Sequence, residues 1–193
     1  MDSTFWDQRY TDHPSPWSDE PNRFLVEAVE ALVPGRALDL ACGEGRNSLW
    51  LAGEGWSVLG VDFSEIAVGR ANQRAAEQKL DARFERHDLT TWAPSPGTFD
   101  LVSMVYLQVP AEQMAVAVGN ASRAVAPGGT LFVVGHHLDN LALGVGGPPM
   151  PEVLYTEDQL VEWCAGVEVV RSDRVERPVD GGVAIDALLL GRR

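Results

Sequence analysis

The sequence predicts a doubly wound α/β fold in which helices cover both faces of a mostly parallel, seven-stranded sheet. Short apolar segments alternate along the chain with segments whose apolar residues recur at helical spacing. The first five apolar segments are apolar on both faces, as in parallel strands buried between two layers of helices. The last third of the chain differs, because two strand-like segments flank a turn at residues 180–182 and predict a C-terminal antiparallel hairpin.

The predicted elements follow one another in a regular order. A first helix is predicted from Pro21 onward, where apolar residues recur at helical spacing between residues 25 and 33 until Pro34 and Gly35 end the pattern. The predicted strands cover residues 37–40, 57–61, 82–86, 99–105, 130–134, 167–171 and 183–190. Further helices are predicted over residues 46–52, after the N-cap Ser64, from Pro110, and after the capping box of Thr156 and Gln159.

Length and composition are those of one globular domain. The 193 residues are 45% hydrophobic, which is enough for a buried core, and we expect a single domain over residues 1–193. The longest apolar stretches are far shorter than the roughly 20 residues of a membrane-spanning helix. The N-terminus has neither the basic nor the apolar part of a secretory signal. We therefore expect a cytoplasmic protein with no membrane partner.

The charge of the chain argues against nucleic acid as a partner. Fifteen basic and 28 acidic residues give a formal net charge of −13. Binding of nucleic acid normally rests on clustered basic charge, so we expect a small-molecule partner and no nucleic acid. The two cysteines, Cys42 and Cys164, are expected to be free thiols, because a chain without an export signal has little need of a disulfide.

A glycine-rich turn lies between the first predicted strand and the helix that follows it. Gly43 and Gly45 allow the backbone to approach a ligand, and the N-terminus of the helix offers unpaired N–H groups to an anion. This arrangement indicates a nucleoside-bearing ligand. The spacing only half matches the dinucleotide fingerprint G-x-G-x-x-G, because Ser48 stands at the third glycine.

Carboxylates follow three successive predicted strands, at Asp39, Asp62 and Asp88. Asp62 suits the hydroxyls of a ribose, which both NAD and S-adenosylmethionine possess. Asp39 favours S-adenosylmethionine, because it would repel a pyrophosphate but suits a cationic amino group. Asp88 can accept a hydrogen bond from an adenine amino group. Each acid alone could also be an ordinary strand-end residue or helix cap.

The chain resembles the class I S-adenosylmethionine-dependent methyltransferases. The residues that carry the resemblance span nearly the whole chain, and the loop at residues 43–48 is similar to that of tellurite-resistance and thiopurine methyltransferases, a small-molecule branch. These residues lie at 5–10, 43–48, 106–107 and 126–129. The resemblance implies a Rossmann-like methyltransferase fold, S-adenosylmethionine as cofactor and S-adenosylhomocysteine as product.

The resemblance also implies which residues bind the cofactor. Asp39, Gly43 and Gly45 would hold its methionine part, Asp62 and Phe63 the ribose and the edge of the adenine, and Asp88 and Leu89 the adenine. Backbone groups near Met104 would complete the pocket. The full set of expected cofactor-binding residues also includes Tyr10, Trp17, Ala41, Arg46 and Asn47. Ala41 stands where the family usually has a glycine, and it fits only if its φ is below zero.

Four aromatic residues lie within the first 17 positions, at Phe5, Trp6, Tyr10 and Trp17. Exposed aromatic side chains are costly in water. We therefore expect residues 1–20 to form a lid over the cofactor, with a flexible tail as the alternative.

Polar residues at the carboxyl ends of later strands are expected to line an acceptor pocket. The candidates are Tyr106, His136, His137, Asn140 and Tyr155. His136 or His137 would be the general base where a base is required, because an imidazole titrates near physiological pH. The alternative is that these are ordinary polar groups of loops. We expect no metal site, because adjacent histidines on an extended chain point to opposite sides.

The function predicted is in-line transfer of a methyl group from S-adenosylmethionine to a small nucleophile, such as a thiol, a chalcogen oxyanion or a hydroxyl group. Two alternatives stay open. One is an NAD-dependent oxidoreductase, which the half fingerprint and Asp62 favour and which Asp39 disfavours. The other is a non-catalytic adenosyl-binding module that regulates a partner. The acceptor, the biological pathway and the oligomeric state are open at this point.

Overall fold

The protein folds around a seven-stranded sheet with the strand order β3-β2-β1-β4-β5-β7-β6. The structure is a computed structural model that describes residues 3–12 and 19–193. The strands are β1 (Arg36–Leu40), β2 (Ser57–Asp62), β3 (Ala82–Arg86), β4 (Phe99–Val105), β5 (Val125–His136), β6 (Glu168–Val179) and β7 (Gly182–Arg192). The first five are parallel, and β7 pairs antiparallel with both β5 and β6. The predicted fold class is confirmed.

Helices cover both faces of this sheet. They are α1 (Ser3–Asp12), α2 (Arg23–Val29), α3 (Arg46–Gly53), α4 (Glu65–Gln78), α5 (Ala111–Ala124), α6 (Asn140–Leu143) and α7 (Glu157–Trp163), and a 3₁₀ turn spans Pro151–Val153. Met114 of α5 and Leu160 of α7 belong to the core on one face. Leu25 of α2 and Leu51 of α3 belong to the core on the other. Among the described residues, no helix is long and apolar enough to cross a membrane.

Local sequence accounts for several element boundaries. The Ser64 side chain accepts a hydrogen bond from the N–H of Ala67, 3.1 Å away, and so caps α4. Thr156 and Gln159 form the predicted capping box, in which each side chain accepts from the backbone N–H of the other. Unpaired N–H groups at these helix starts are thereby satisfied, which explains why both predicted N-termini are confirmed.

Two strands extend beyond their predicted limits. β5 begins at Val125 rather than residue 130, because Val125 pairs with Phe99 and the Pro-Gly-Gly turn becomes an irregularity within the strand. β6 runs from Glu168 to Val179 rather than 167–171. It lies at the edge of the sheet and is largely exposed, so its charged residues give no apolar signal.

The N-terminal helix α1 lies against the start of α4. The Asp7 carboxylate accepts a hydrogen bond of 2.5 Å from the Ser64 hydroxyl. The Arg70 guanidinium donates to the backbone carbonyl of Tyr10 at 2.7 Å and to Glu44 at 2.7 Å. Helix α1 is thus attached to both α4 and the loop after β1. Division of the chain into one domain with a lid at residues 1–20 stays a prediction.

The strand order reverses between β1 and β4, which is where such sheets place a ligand crevice. The carboxyl ends of all five parallel strands and the β6–β7 hairpin meet at this edge of the sheet. The loops that leave these strand ends therefore position the candidate site.

Candidate active site

A cavity of about 1080 Å³ lies over the carboxyl ends of the strands. Its walls come from α1, from the loops after the first five strands, and from the β6–β7 hairpin. The expected site residues among its lining are Tyr10, Ala41, Gly43, Arg46, Asn47, Asp62, Phe63, Asp88, Leu89, Tyr106 and His136. The structure thus brings together residues from distant parts of the chain. Trp17 lies outside the described residues.

The loop after β1 turns sharply by means of three residues in the left-handed region. Ala41, Gly43 and Gly45 have φ values of 57°, 54° and 83°. The expectation that an alanine fits at this position only with a φ below zero is therefore wrong. The loop requires the conformation of the missing glycine, and an alanine can adopt it only at a cost of roughly 1–2 kcal/mol.

The two glycines of this loop lie close to neighbouring side chains. A Cβ atom at Gly43 would lie 2.8 Å from the hydroxyl of Tyr10, and one at Gly45 would lie 2.9 Å from the Phe84 ring. The N–H of Gly43 donates a hydrogen bond of 2.9 Å to Asp62. The absence of side chains therefore lets the loop, helix α1 and the end of β2 converge on one wall of the cavity.

Asp62 and Asp88 lie at the ends of adjacent strands and line the cavity. Asp62 is buried, and its two oxygens accept hydrogen bonds of 2.9 Å from the N–H groups of Gly43 and Ser64. Burial raises the pKa of Asp62, and these hydrogen bonds oppose the rise. Asp88 is exposed and accepts from the N–H of Thr90 at 2.9 Å. Each held carboxylate retains lone pairs for a ligand.

Three expected cofactor residues lie behind the cavity rather than along its wall. Met104 is fully buried in the core, and neither Gly45 nor Asp39 is part of the lining. The Asp39 carboxylate accepts hydrogen bonds from the hydroxyls of Ser48 at 2.6 Å and Ser103 at 2.8 Å. Desolvation raises the pKa of Asp39 to about 6. Ser48 stands at the position of the third glycine of a dinucleotide site, and here its hydroxyl donates a hydrogen bond to the buried acid.

Cys42 also touches the cavity, next to the glycine turn. Burial raises the pKa of its thiol well above the usual value, and the charges of Asp62 and Asp39 raise it further. The thiol stays protonated near neutral pH, which agrees with a packing role.

At the other end of the cavity, Tyr106 and His136 lie side by side. Their ring centroids are 4.8 Å apart. The Tyr106 hydroxyl donates a hydrogen bond of 2.8 Å to the carboxylate of Asp186. The Nδ1 atom of His136 lies 3.3 Å from the same carboxylate, without the alignment of a hydrogen bond. Burial raises the pKa of Tyr106, and the Asp186 charge adds to the rise.

The other three acceptor candidates do not line the cavity. His137 is buried on the opposite side of the strand end, where its Nε2 atom lies 2.9 Å from Glu157. Asn140 accepts from the N–H of Ile185 at 2.7 Å and donates to a backbone carbonyl. Tyr155 is buried with its ring against Trp163. These residues hold the loop after β5 in place. The opposite directions of the two histidines agree with the sequence argument.

Two site residues were missed by the sequence argument, Arg177 and Asp186. Asp186 lies in β7 beside His136 of β5, and Arg177 lies near the end of β6. Neither follows a glycine turn or a parallel strand, so no local pattern marks them. The pairing of β7 with β5 and with β6 brings Arg177 to the cavity wall and Asp186 into contact with residues of that wall. Among residues 3–12 and 19–193, no cluster of three metal-ligating side chains occurs.

Residues 37–129 match the family described as "Methyltransferase domain". A ribosomal RNA small subunit methyltransferase C of Alcanivorax borkumensis is 36% identical over 50% of this chain and 31% of its own length. A 2-heptyl-1-hydroxyquinolin-4(1H)-one methyltransferase of Mycobacteroides abscessus is 30% identical over 62% of this chain and 55% of its own. The chain thus spans about a third to a half of these curated relatives.

Solved structures share the fold over nearly the whole chain. One, described as "Conversion of a Disulfide Bond into a Thioacetal Group during Echinomycin Biosynthesis", has a TM-score of 0.80 at 23% identity and covers 99% of this chain and 91% of its own. TehB from Haemophilus influenzae has a TM-score of 0.76 at 20% identity and covers 97% of this chain and 66% of its own. The resemblance to tellurite-resistance proteins is consistent with this neighbour.

Residues 37–129, just under half of the chain, therefore match a methyltransferase domain, and this match agrees with the resemblance of the sequence to the class I S-adenosylmethionine-dependent methyltransferases. The residues present fit the cofactor of this class. The glycine turn supplies a close backbone approach, and Asp62 and Asp88 supply acceptors at successive strand ends. Apolar contact comes from Phe63 and Leu89. The family match thus agrees with S-adenosylmethionine as cofactor.

Proposed function

We propose that this protein transfers a methyl group from S-adenosylmethionine to a small-molecule nucleophile. The observation that carries the proposal is the continuity of the cavity. The same cavity joins Asp62 and Asp88 at the β2–β3 side of the sheet to Tyr106 and His136 at the β4–β5 side. A cofactor and an acceptor can therefore occupy one continuous cavity.

The cofactor would lie along the ends of β1, β2 and β3. Asp62 would accept hydrogen bonds from the ribose hydroxyls, while Asp88 would accept one from the adenine amino group. Arg46 and Asn47, at the start of α3, and Tyr10 of α1 would enclose the methionine part. When bound, S-adenosylmethionine supplies an electrophilic methyl group on its sulfonium. The protein then has to align the acceptor and exclude water.

His136 is the general base of this proposal when the acceptor is a thiol or a hydroxyl. It lines the cavity, and its ring lies against Tyr106 and beside the Asp186 carboxylate. The Asp186 carboxylate lies 3.3 Å from Nδ1, and the tautomer with its proton on Nδ1 would leave Nε2 as the atom that accepts a proton. Tyr106 is unsuited to that role, because its hydroxyl already donates to Asp186 and its pKa is raised.

A small acceptor is supported by charge and by the relatives together. The net charge of −13 opposes long-range attraction of RNA. The quinolone methyltransferase is named for a small hydroxylated aromatic, and the structure with the highest similarity given above is described by a step in echinomycin biosynthesis. The ribosomal RNA methyltransferase shares part of the domain, so RNA is the competing acceptor for the test.

Calorimetric titration with S-adenosylmethionine, S-adenosylhomocysteine and NADH tests the cofactor. We expect both adenosyl compounds to bind and NADH not to bind. Asp62→Ala should weaken adenosyl binding at least about 10-fold, which corresponds to about 1.4 kcal/mol. Asp81→Asn is the matched control, because Asp81 is exposed and lies at the opposite end of β3. Binding of NADH alone would show an oxidoreductase instead.

Formation of S-adenosylhomocysteine tests the reaction. Dithiothreitol, tellurite, catechol and total bacterial RNA represent the thiol, oxyanion, hydroxyl and nucleic acid classes. We expect turnover with at least one small acceptor and none with RNA. Cofactor binding without product from any of the four would favour the non-catalytic module.

A further inference from the structure

A buried carboxylate organises the β6–β7 end of the cavity. Asp186 has no solvent exposure, and one of its oxygens accepts hydrogen bonds of 2.8 Å from both the Tyr106 hydroxyl and Nε of Arg177. Its other oxygen lies 3.5 Å from Nη2 of Arg177 and 3.3 Å from Nδ1 of His136. Three side chains from three different strand ends thus converge on one carboxylate.

The Asp186 charge is fully engaged by these neighbours. Burial alone would raise its pKa, but the contacts with His136, Arg177 and Tyr106 outweigh burial and hold the pKa below its usual value. Asp186 is therefore ionised near neutral pH, and it is buried and does not itself line the cavity. Its role is to fix the groups around it.

Arg177 keeps donors that Asp186 does not use. A guanidinium has five N–H donors in a rigid plane, and the contacts with Asp186 occupy only the edge formed by Nε and Nη2. Arg177 lines the cavity, its side chain is 23% exposed, and its Cζ atom lies 5.3 Å from the centre of the Tyr106 ring. Held at one edge and against one face, the guanidinium presents its remaining N–H groups in a fixed orientation.

A second guanidinium lies close to Arg177, while acidic side chains line other parts of the same cavity. The Arg46 guanidinium also lines the cavity; desolvation lowers its pKa, and the charge of Arg177 lowers it further. Two cations are thus close enough to repel each other. The nearby carboxylate of the hairpin turn, Asp180, is exposed, so water screens it.

We propose that Arg177 binds an anionic oxygen group of the acceptor, a carboxylate or a similar oxyanion, and holds the acceptor next to His136. A bidentate pair between a guanidinium and a carboxylate is the strongest hydrogen-bonded contact that this end of the cavity offers. The inference rests on the proposed function and deepens it, because it names the chemical class of the acceptor.

Small anions test the subsite directly. Acetate and benzoate, and their neutral counterparts acetamide and benzamide, are titrated into protein saturated with S-adenosylhomocysteine and followed by NMR chemical shifts. We expect at least one carboxylate to bind at least about 10-fold more tightly than its amide. Arg177→Gln should abolish that preference. Arg171→Gln is the matched control, because Arg171 lies on the same strand, pairs with Asp173 and does not line the cavity.

The design separates the subsite from protein stability and from the proposed function. The Arg177→Gln and Asp186→Asn double variant removes both buried charges together, so it serves if the single variant does not fold. Failure of S-adenosylhomocysteine to bind would refute the proposed function, while the same titrations without it still decide the inference. Equal affinity for anion and amide, no binding of either, or a preference that survives in both Arg177 variants would overturn it.

Discussion

Ala41 and Tyr106 have backbone conformations that residues other than glycine rarely adopt. Both residues directly follow strands that lead to the cavity. Their φ values are 57° and 60°. Each conformation costs of the order of 1–3 kcal/mol and persists only when surrounding contacts determine it. For Tyr106, the hydrogen bond to Asp186 and the contact with His136 supply such constraints. Backbone strain therefore lies at the two points where the chain leaves a strand and enters a loop that lines the cavity.

Ala41→Gly should stabilise the protein. Glycine relieves the left-handed strain of roughly 1–2 kcal/mol but loses about 0.4–1 kcal/mol through the greater freedom of the unfolded chain. The net gain in unfolding free energy is between about 0 and about 1.6 kcal/mol, with a central value of about 0.8 kcal/mol, and it is measurable by urea denaturation. At another position of the same loop, Gly43→Ala should be destabilising, because the new Cβ would lie 2.8 Å from the Tyr10 hydroxyl. A loss of stability in Ala41→Gly would contradict the strain.

The buried acid Asp39 should make stability depend on pH. Its pKa is about 6 in the folded protein and ordinarily 3.8, so between these values the folded state binds more protons. The unfolding free energy contributed by Asp39 therefore falls as pH rises through that window, by about 3 kcal/mol in total. In Asp39→Asn the neutral amide does not titrate. Its stability relative to wild type should improve by about 2.4 kcal/mol between about pH 4 and about pH 7, which is most of that total.

Urea denaturation of both proteins at several pH values measures this difference, and carboxylates shared by both proteins cancel from it. A difference that is the same at every pH would show that Asp39 does not have the raised pKa.

The two adjacent histidines should respond differently to alanine. His136→Ala removes the proposed base and should lower kcat with a thiol or hydroxyl acceptor about 100-fold, with an unchanged Kd for S-adenosylhomocysteine. His137→Ala removes a buried partner of Glu157 and should act on the melting temperature instead. Steady-state kinetics, calorimetry and thermal unfolding give the three quantities. An unchanged kcat in His136→Ala would remove the base assignment.

At the scale of elements, helix α1 depends on contacts far away in sequence. Arg70 of α4 holds both the carbonyl of Tyr10 and the buried carboxylate of Glu44. Arg70 therefore joins α1 to the glycine turn. This wall of the cavity is built from α1, α4 and the turn rather than from the turn alone. The position of the proposed lid would therefore depend on the conformation of the glycine turn after β1.

Arg70→Gln should loosen α1. The change leaves the Glu44 carboxylate, which is 7% exposed, without its ion-pair partner. Hydrogen exchange of α1 amides should become at least several-fold faster, and S-adenosylhomocysteine should dissociate faster. Arg23→Gln removes an exposed pair with Glu27, worth about 0.3–0.5 kcal/mol, and is the control. Exchange equal to that of the control would show that α1 is held by other contacts.

On the scale of the whole molecule, the carboxyl ends of the strands form one continuous base for a ligand that would span the sheet. The cavity is lined by residues from α1 to the β6–β7 hairpin, so a bound adenosyl compound would contact most of the fold. A ligand that binds only the folded state stabilises all of it by mass action. The melting temperature of the whole chain, measured with each ligand, therefore shows directly which cofactor the protein binds.

S-adenosylhomocysteine should raise the melting temperature. At a ligand concentration of about 100 times Kd the gain is about 2.7 kcal/mol. For a chain of this length each kcal/mol corresponds to about 2–4 °C, so a shift of roughly 5–11 °C is expected. NADH at the same concentration is the control. A shift with NADH and none with S-adenosylhomocysteine would contradict the cofactor assignment.

The side of the cavity that is proposed to bind the adenosyl group was largely predictable from sequence, because the signals that mark its residues are local. Asp62, Phe63, Asp88 and Leu89 follow strands whose apolar residues mark them, and Ser64 caps the next helix. Parallel strands place such residues at one edge of a sheet. The acceptor side was predictable only in part. Which of two adjacent histidines enters the cavity depends on strand register, and that register is set by pairing with β7.

The sequence by itself determined the fold class, the glycine turn and the succession of carboxylates, since each depends on neighbours a few residues apart. Tertiary structure alone decided that Asp39 is buried behind the cavity, that Ala41 is left-handed, and that Arg177 and Asp186 belong to the site. Tyr106 and Asp186 are 80 residues apart in sequence, and the pairing of β4, β5 and β7 brings them together. Such long-range pairing reflects the packing of the whole sheet and leaves no periodic mark on the local sequence.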